Sequence, residues 1–167
     1  MADAYPLAAL MSVRHFREEA AQRDLAHAND AAKSAALERD AKKEELAECI
    51  AFNREETERR YAALIGTRVS MEELDKFHFG LAVLKGNERA KQQAAEEAEA
   101  ALARAQAAVK TAAAAAKAAR KNALKIEKHR SIWLEAAKKE AERAEDRELE
   151  EFRPTGRLGA SAEEAGF

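Results

Sequence analysis

Four histidines, one cysteine and a run of six unopposed cations are the residues of this 167-residue chain best equipped for chemistry. A metal needs three or four ligands converging on one point. His15, His27, His78 and His129 are instead spread along the whole sequence, and His15 with Glu19 makes an ordinary i,i+4 helix pair. Cys49 has no histidine within helix-neighbour distance to draw off its proton, so it reads as a small residue near a helix seam rather than a nucleophile. The sequence contains no Gly-rich phosphate loop, no paired-cysteine motif, no HExxH and no G-x-S-x-G. No catalytic, metal or cofactor site is expected, and the chain reads as a non-enzyme.

The cations are a different matter. Between Ala100 and Ile126 stand Arg104, Lys110, Lys117, Arg120, Lys121 and Lys125, with no acidic residue among them. Two readings are open: a solvated helix face complementing glutamates on a neighbouring helix, or a docking stripe for an acidic protein surface. Nucleic acid is disfavoured, because the stripe lacks interleaved aromatic side chains and the overall pI is near 6.2. Large apolar side chains gather at two other places. One comprises Tyr61, Leu64, Ile65, Val69, Met71, Leu74, Phe77, Phe79, Leu81, Val83 and Leu84. The other joins Tyr5, Leu7, Leu10, Met11, Val13 and Phe16 to Trp133, Leu134, Leu149 and Phe152. Phe77 and Phe79 lie about 200° apart around a helix, so only one of them can face a seam. Each cluster is either a local core or a partner-binding patch.

Long helices must carry these residues. Alanine accounts for 43 residues, and 29 basic side chains nearly balance 31 acidic ones. That composition suits helices with interleaved charges. Six glycines and two prolines are too few to punctuate a β protein. Pro6 is suited to a first helical turn, and no glycine or further proline follows until Gly66, which predicts a helix over about 6–65 capped at Gly66. Ser70 and Glu73 form a capping box that starts a second helix, running to about residue 151 before Arg153-Pro154. In it Leu74, Phe77, Leu81, Leu84, Glu88, Lys91, Ala95, Ala98 and Leu102 begin a series spaced three and four apart that passes Ile126, Arg130, Trp133, Ala137 and Glu140 to Ala144. The first helix repeats this less cleanly, with Leu7, Leu10, Ala21, Leu25, Ala28, Ala32, Leu46, Ile50, Tyr61 and Leu64 near the seam. The expected fold is all-α, a long antiparallel two-helix coiled-coil hairpin over 1–153, with 154–167 a disordered tail. The second helix exceeds the first by about 20 residues. Gly80 and Gly86 offer an explanation, since each costs about 1 kcal/mol inside a helix; residues 66–86 then form a tip segment, and a kinked continuous helix is equally tenable.

The two ends of the chain carry a resemblance. Tyr5-Pro6-Leu7, followed by Leu10, Val13, Arg14 and Glu18-Glu19-Ala20, resembles the N-terminus of the YscO family of type III secretion proteins. The segment from Glu127 through His129, Trp133 and Lys138-Lys139-Glu140 to Glu151 is similar to that family's closing helix, and the flagellar FliJ proteins share the hairpin plan. The resemblance implies a cytoplasmic stalk, peripheral to the inner membrane. Such a stalk enters the hexameric secretion ATPase much as the γ-subunit coiled coil enters rotary ATPases, links it to the export gate, and in some members binds export chaperones. Carried over by position, Tyr5, Leu7, Leu10, Arg14, His129 and Trp133 would meet the ATPase, and Phe77, Leu81 and Leu84 the export gate.

The rival expectations are a scaffold that self-associates through its alanine seam and a helical hairpin acting as a chaperone or on a membrane surface. The stalk reading predicts a monomer when isolated. No signal peptide is expected from Met1-Ala2-Asp3-Ala4-Tyr5-Pro6, and no stretch is long and apolar enough to insert in a membrane directly.

Overall fold

The structure is a computed structural model and describes residues 5–151. Phe152, the stop at Arg153-Pro154 and the expected tail at 154–167 lie outside the described residues. Two helices account for nearly all of it: α1, Ala8–Leu64, and α2, Met71–Glu151. The helix start follows the expected chemistry, with Tyr5 and Leu7 carbonyls accepting from the amides of Ala8 and Met11. At the far end of α1, Gly66 takes the left-handed conformation, φ 85°, that an L side chain rarely adopts. The Leu64 carbonyl accepts from both the amide and the hydroxyl of Thr67. The capping box forms in both directions: the Glu73 amide donates to Ser70 Oγ at 3.3 Å and the Ser70 amide to Glu73 Oε2 at 2.8 Å. The second bond holds the Glu73 carboxyl below its usual range.

The chain divides into two compact units. One joins residues up to Arg14 to those from Asn122 onward, and the other is His15–Lys121. In each, residue numbers rise along α1 as they fall along α2, so the pairing is antiparallel. In the first unit Tyr5 meets His129 and Trp133, and Arg14 donates to the Asn122 carbonyl. In the second, Glu18 meets Arg120, Lys43 meets Glu99, Glu45 meets Lys91, Asn53 meets Leu84 and Tyr61 meets Phe77.

The α2 seam follows the spacing expected of it. Leu84, Ala95, Ala98, Leu102 and Ala116 are buried in the larger unit, and Ala123 and Ile126 in the smaller. The α1 seam agrees with expectation in part: Leu7, Ala21, Leu25, Ala28, Ala32, Leu46 and Leu64 are half-buried. Its buried residues, however, are Glu18, Asn53 and Glu56, while Leu10, Ile50 and Tyr61 are 40–49% exposed. Small and polar side chains on both sides leave no large side chain fully buried among the described residues.

Gly80 and Gly86 do not break α2, which starts at Met71 without a separate tip segment. The length difference has another origin. Beyond Trp133, the described part of α1 offers no partner, and residues 138–151 are exposed on every side. The helix there overhangs its mate.

The two glycines have different surroundings. A Cβ at Gly80 would fall on the guanidinium of Arg60, which crosses the seam at that point, whereas a Cβ at Gly86 would meet open space. Gly86→Ala is therefore expected to stabilise the protein by about 0.5–1 kcal/mol, the helix-propensity difference. Gly80→Ala should gain less, because Arg60 must swing away from its 2.7 Å bond to Glu56. Parallel thermal melts of the two variants measure the contrast, and an equal gain at both would show that the Arg60 contact contributes nothing.

Cross-seam ion pairs set the response to acid. Lys91 first, then Lys42, donates to the Glu45 carboxylate, holding its pKa at about 2 against an ordinary 4.5. The Lys43 ammonium likewise lowers Glu99. A depressed carboxylate contributes stability that is complete above its unfolded value and vanishes as pH falls through the folded one. The melting temperature should accordingly be level between pH 7 and about 5, then fall between about 4.5 and 2. Glu45→Gln should flatten part of that decline, and an unchanged slope would show that the Glu45 pairs do not govern it.

Candidate interaction surfaces at the two ends of the helical pairing

In the first unit, Pro6 turns the chain so that Tyr5 folds back across α2. The Tyr5 hydroxyl lies 2.8 Å from His129 Nδ1, and the Tyr5 ring packs edge-on against Trp133 with centroids 5.5 Å apart. Tyr5 is buried as a result, Leu7, Arg14 and Trp133 are half-buried, and His129 is exposed. Of the six residues expected at this end, Tyr5, His129 and Trp133 form one contact cluster. Leu10 stands apart from it, 40% exposed, and Arg14 is committed to the Asn122 carbonyl at 3.0 Å. Val13, Ile132 and Leu134 present further apolar surface here.

In the second unit the helix turn brings Phe77 edge-on to Tyr61 at 5.0 Å. Phe79 points outward, 72% exposed, as the 200° argument required of one of the two. Leu81 is half-buried and Leu84 is buried. The Leu84 side chain belongs to the seam and cannot be offered to a partner. The apolar side chains that are presented are Ile65, Val69, Met71, Phe79 and Val83.

One helical turn deeper lies an open groove of about 450 Å³, lined by Ile50, Tyr61, Leu81 and Leu84 with Lys85 and Glu88 at its rim. Its floor is polar. The Asn53 amide donates to the Leu84 carbonyl at 2.9 Å and to Glu88 Oε2 at 3.2 Å. Glu56 accepts from both Arg59 and Arg60, and the Arg60 bond, the larger influence, lowers its pKa.

The expected basic stripe divides between the units, Lys125 in the first and Arg104, Lys110, Lys117, Arg120 and Lys121 in the second, all exposed. Of the two readings left open for it, complementation of helix 1 accounts, among the described residues, for Arg120 alone, which donates to the buried Glu18 at 2.8 Å. Lys33, Lys42, Lys43, Lys76, Lys91 and Lys138 all have carboxylate partners.

Among the described residues no group of three or more His, Cys, Asp or Glu could hold a metal, and no helix is long and apolar enough to cross a membrane. Antiparallel helix pairs with a thin seam and apolar side chains exposed where the pairing stops define an all-α helical hairpin protein. The chain belongs to the YscO family: the family model described as type III secretion protein YscO matches residues 7–155. It is thus a component of type III secretion. No curated protein matches the chain. No solved structure matches it either.

Proposed function

We propose that this chain is the stalk that engages the hexameric secretion ATPase and couples it to the export gate, without catalysing a reaction itself. Membership of the YscO family supports the setting. The observation that carries the finer reading is the exposure of apolar side chains in each unit where its helix pairing stops: Leu10, Val13, Ile132 and Leu134 in one, Ile65, Met71, Phe79 and Val83 in the other. Exposed apolar groups of this density are costly in water unless a partner covers them.

The Tyr5, His129 and Trp133 cluster, with Leu7, Leu10 and Arg14 beside it, forms the ATPase-facing surface. The half-buried Phe77 and Leu81, with the outward Phe79, form the gate-facing one, and the chain also binds export chaperones. The protein works on the cytoplasmic face of the inner membrane, attached through its partners.

Co-purification with the secretion ATPase of the same genome, with ATP hydrolysis measured in its presence and absence, tests this reading. Binding with stimulated hydrolysis supports the stalk. Failure to bind the ATPase at micromolar concentrations of both proteins rejects it.

A further inference from the structure

Self-association through the alanine seam is closed off, because α1 already occupies that seam in both units. The opposite face of α2 is unoccupied. Along it, within the smaller unit, Leu124, Lys128, Ile132, Glu135, Lys139, Glu142, Asp146 and Leu149 follow one another at steps of three and four, and every one of them is exposed. Residues so spaced share one helix face. The face begins with Leu124, Lys128 and Ile132 and is largely acidic beyond. Leu124 and Ile132 are 46% and 57% exposed.

A strip of this kind is complementary to itself when reversed. We propose that it is the docking face for a second copy of this chain, with the two α2 helices antiparallel about a two-fold axis near Ile132. Lys128 of each copy then meets Glu135 of the other, the two Ile132 side chains flank the axis, and Leu124 packs on the aliphatic stem of Lys139. The steps agree because a step of four from Lys128 to Leu124 mirrors the step of four from Glu135 to Lys139. A closed two-fold contact uses each pair twice.

Unmet charge supports this occupant over solvent. Among the described residues, Lys128, Glu135 and Asp146 make no ion pair, and Glu142 has only a 3.8 Å approach to Lys138. The contact is exposed and electrostatic, so it is weak at micromolar concentration and sensitive to salt.

Sedimentation of the purified chain tests the proposal without any partner protein, so its outcome is separate from that of the ATPase experiment. At roughly 0.5 mM protein and about 20 mM salt the mass should rise towards twice the 18.4 kDa of one chain, returning to one chain at about 0.5 M salt. Lys128→Glu alone and Glu135→Lys alone should each abolish the dimer, and an equimolar mixture of the two variants should restore it. Ile132→Asp, which sets two carboxylates across the axis, should also abolish it. These positions are exposed on a helix, and an unchanged far-UV helix signal confirms that the fold is intact. A chain that stays monomeric at low salt, as it would if the face served an acidic helix of another protein, overturns the proposal. So does a dimer indifferent to both charge reversals, or a mixture that stays monomeric.

Discussion

Replacing Trp133 by alanine is expected to reduce stimulation of the secretion ATPase severely, by about tenfold or more, while leaving nearly all of the helix signal in place. Trp133 is half-buried, and its edge-on contact with Tyr5 fixes the N-terminal segment against α2. Losing a partly buried aromatic pair costs about 1–3 kcal/mol. That cost falls on a few residues before Ala8 and the first turns of α1, because α2 here is built of strong helix formers and needs little help to stay helical. The interaction surface would therefore come apart without the helices melting. Tyr5→Phe is the control: it keeps the ring contact and removes only the hydroxyl beside His129, so it should cost about 0.5–1.5 kcal/mol and leave most of the stimulation. Circular dichroism and ATP hydrolysis measured on the same preparations separate the cases. A large loss of helix in Trp133→Ala would mean that the residue holds the fold, and would sink its assignment to the ATPase-facing surface.

Asn53 should show the second large effect, with opposite signs for two substitutions. The residue is buried in the α1 seam beside Ile50, Leu81 and Leu84, and its amide is spent on the Leu84 carbonyl and Glu88. Asn53→Ala removes both bonds and leaves a gap, costing about 1–2 kcal/mol. Asn53→Leu fills the same space with apolar surface, while Glu88 remains free to hydrate at the rim. It should stabilise by about 1–2 kcal/mol, following the general result that apolar groups replace buried polar ones at little or negative cost. The gain has a penalty in specificity, because a lone buried amide in a coiled coil fixes register. A cysteine at position 95 reports on it. In the native register Cys49 lies across from the stretch between Glu88 and Lys91, too far along the helix to bridge to residue 95. Oxidation should link Cys49 to residue 95 more readily when Asn53→Leu is present. A melting order other than leucine, asparagine, alanine would overturn this account of the seam.

The same residues explain what was legible in the sequence. The seam of α2 could be read directly, since Leu84, Ala95, Ala98, Leu102, Ala116, Ala123 and Ile126 are apolar at three- and four-residue steps and all are buried. The seam of α1 could be read only in part, at residues such as Ala21, Leu25, Ala28, Ala32 and Leu46. Arg14, Glu18, Arg39, Lys42, Asn53, Glu56 and Arg60 stand at its other positions, none of them exposed, so hydrophobic periodicity fades where the packing continues. Gly80 was ambiguous because a glycine that breaks a helix and one that admits a neighbouring side chain look alike until Arg60 is seen lying over it. The overhang was hidden for a related reason. Ala137, Glu140 and Ala144 continue the seam spacing beyond Trp133, where no described residue of α1 pairs with them, and spacing alone carries no record of where a partner ends. At the ends, residue types alone could not separate the half-buried Trp133 from the buried Leu84, and only geometry does so.

The thin seam has a thermal consequence. Folding here withdraws alanine methyls and a few leucines from water rather than a thick apolar interior, and much of what is buried on α1 is polar. Apolar exposure raises the heat capacity of unfolding and polar exposure lowers it. The increment per residue should therefore fall below the roughly 12–15 cal/mol/K of compact domains. A small increment makes the stability curve broad and shallow, so the free energy of unfolding changes little over a wide span of temperature and the cold limb recedes far below freezing. Such a protein keeps nearly the same resistance to unfolding in a cold environment and a warm one, and it loses structure gradually on heating.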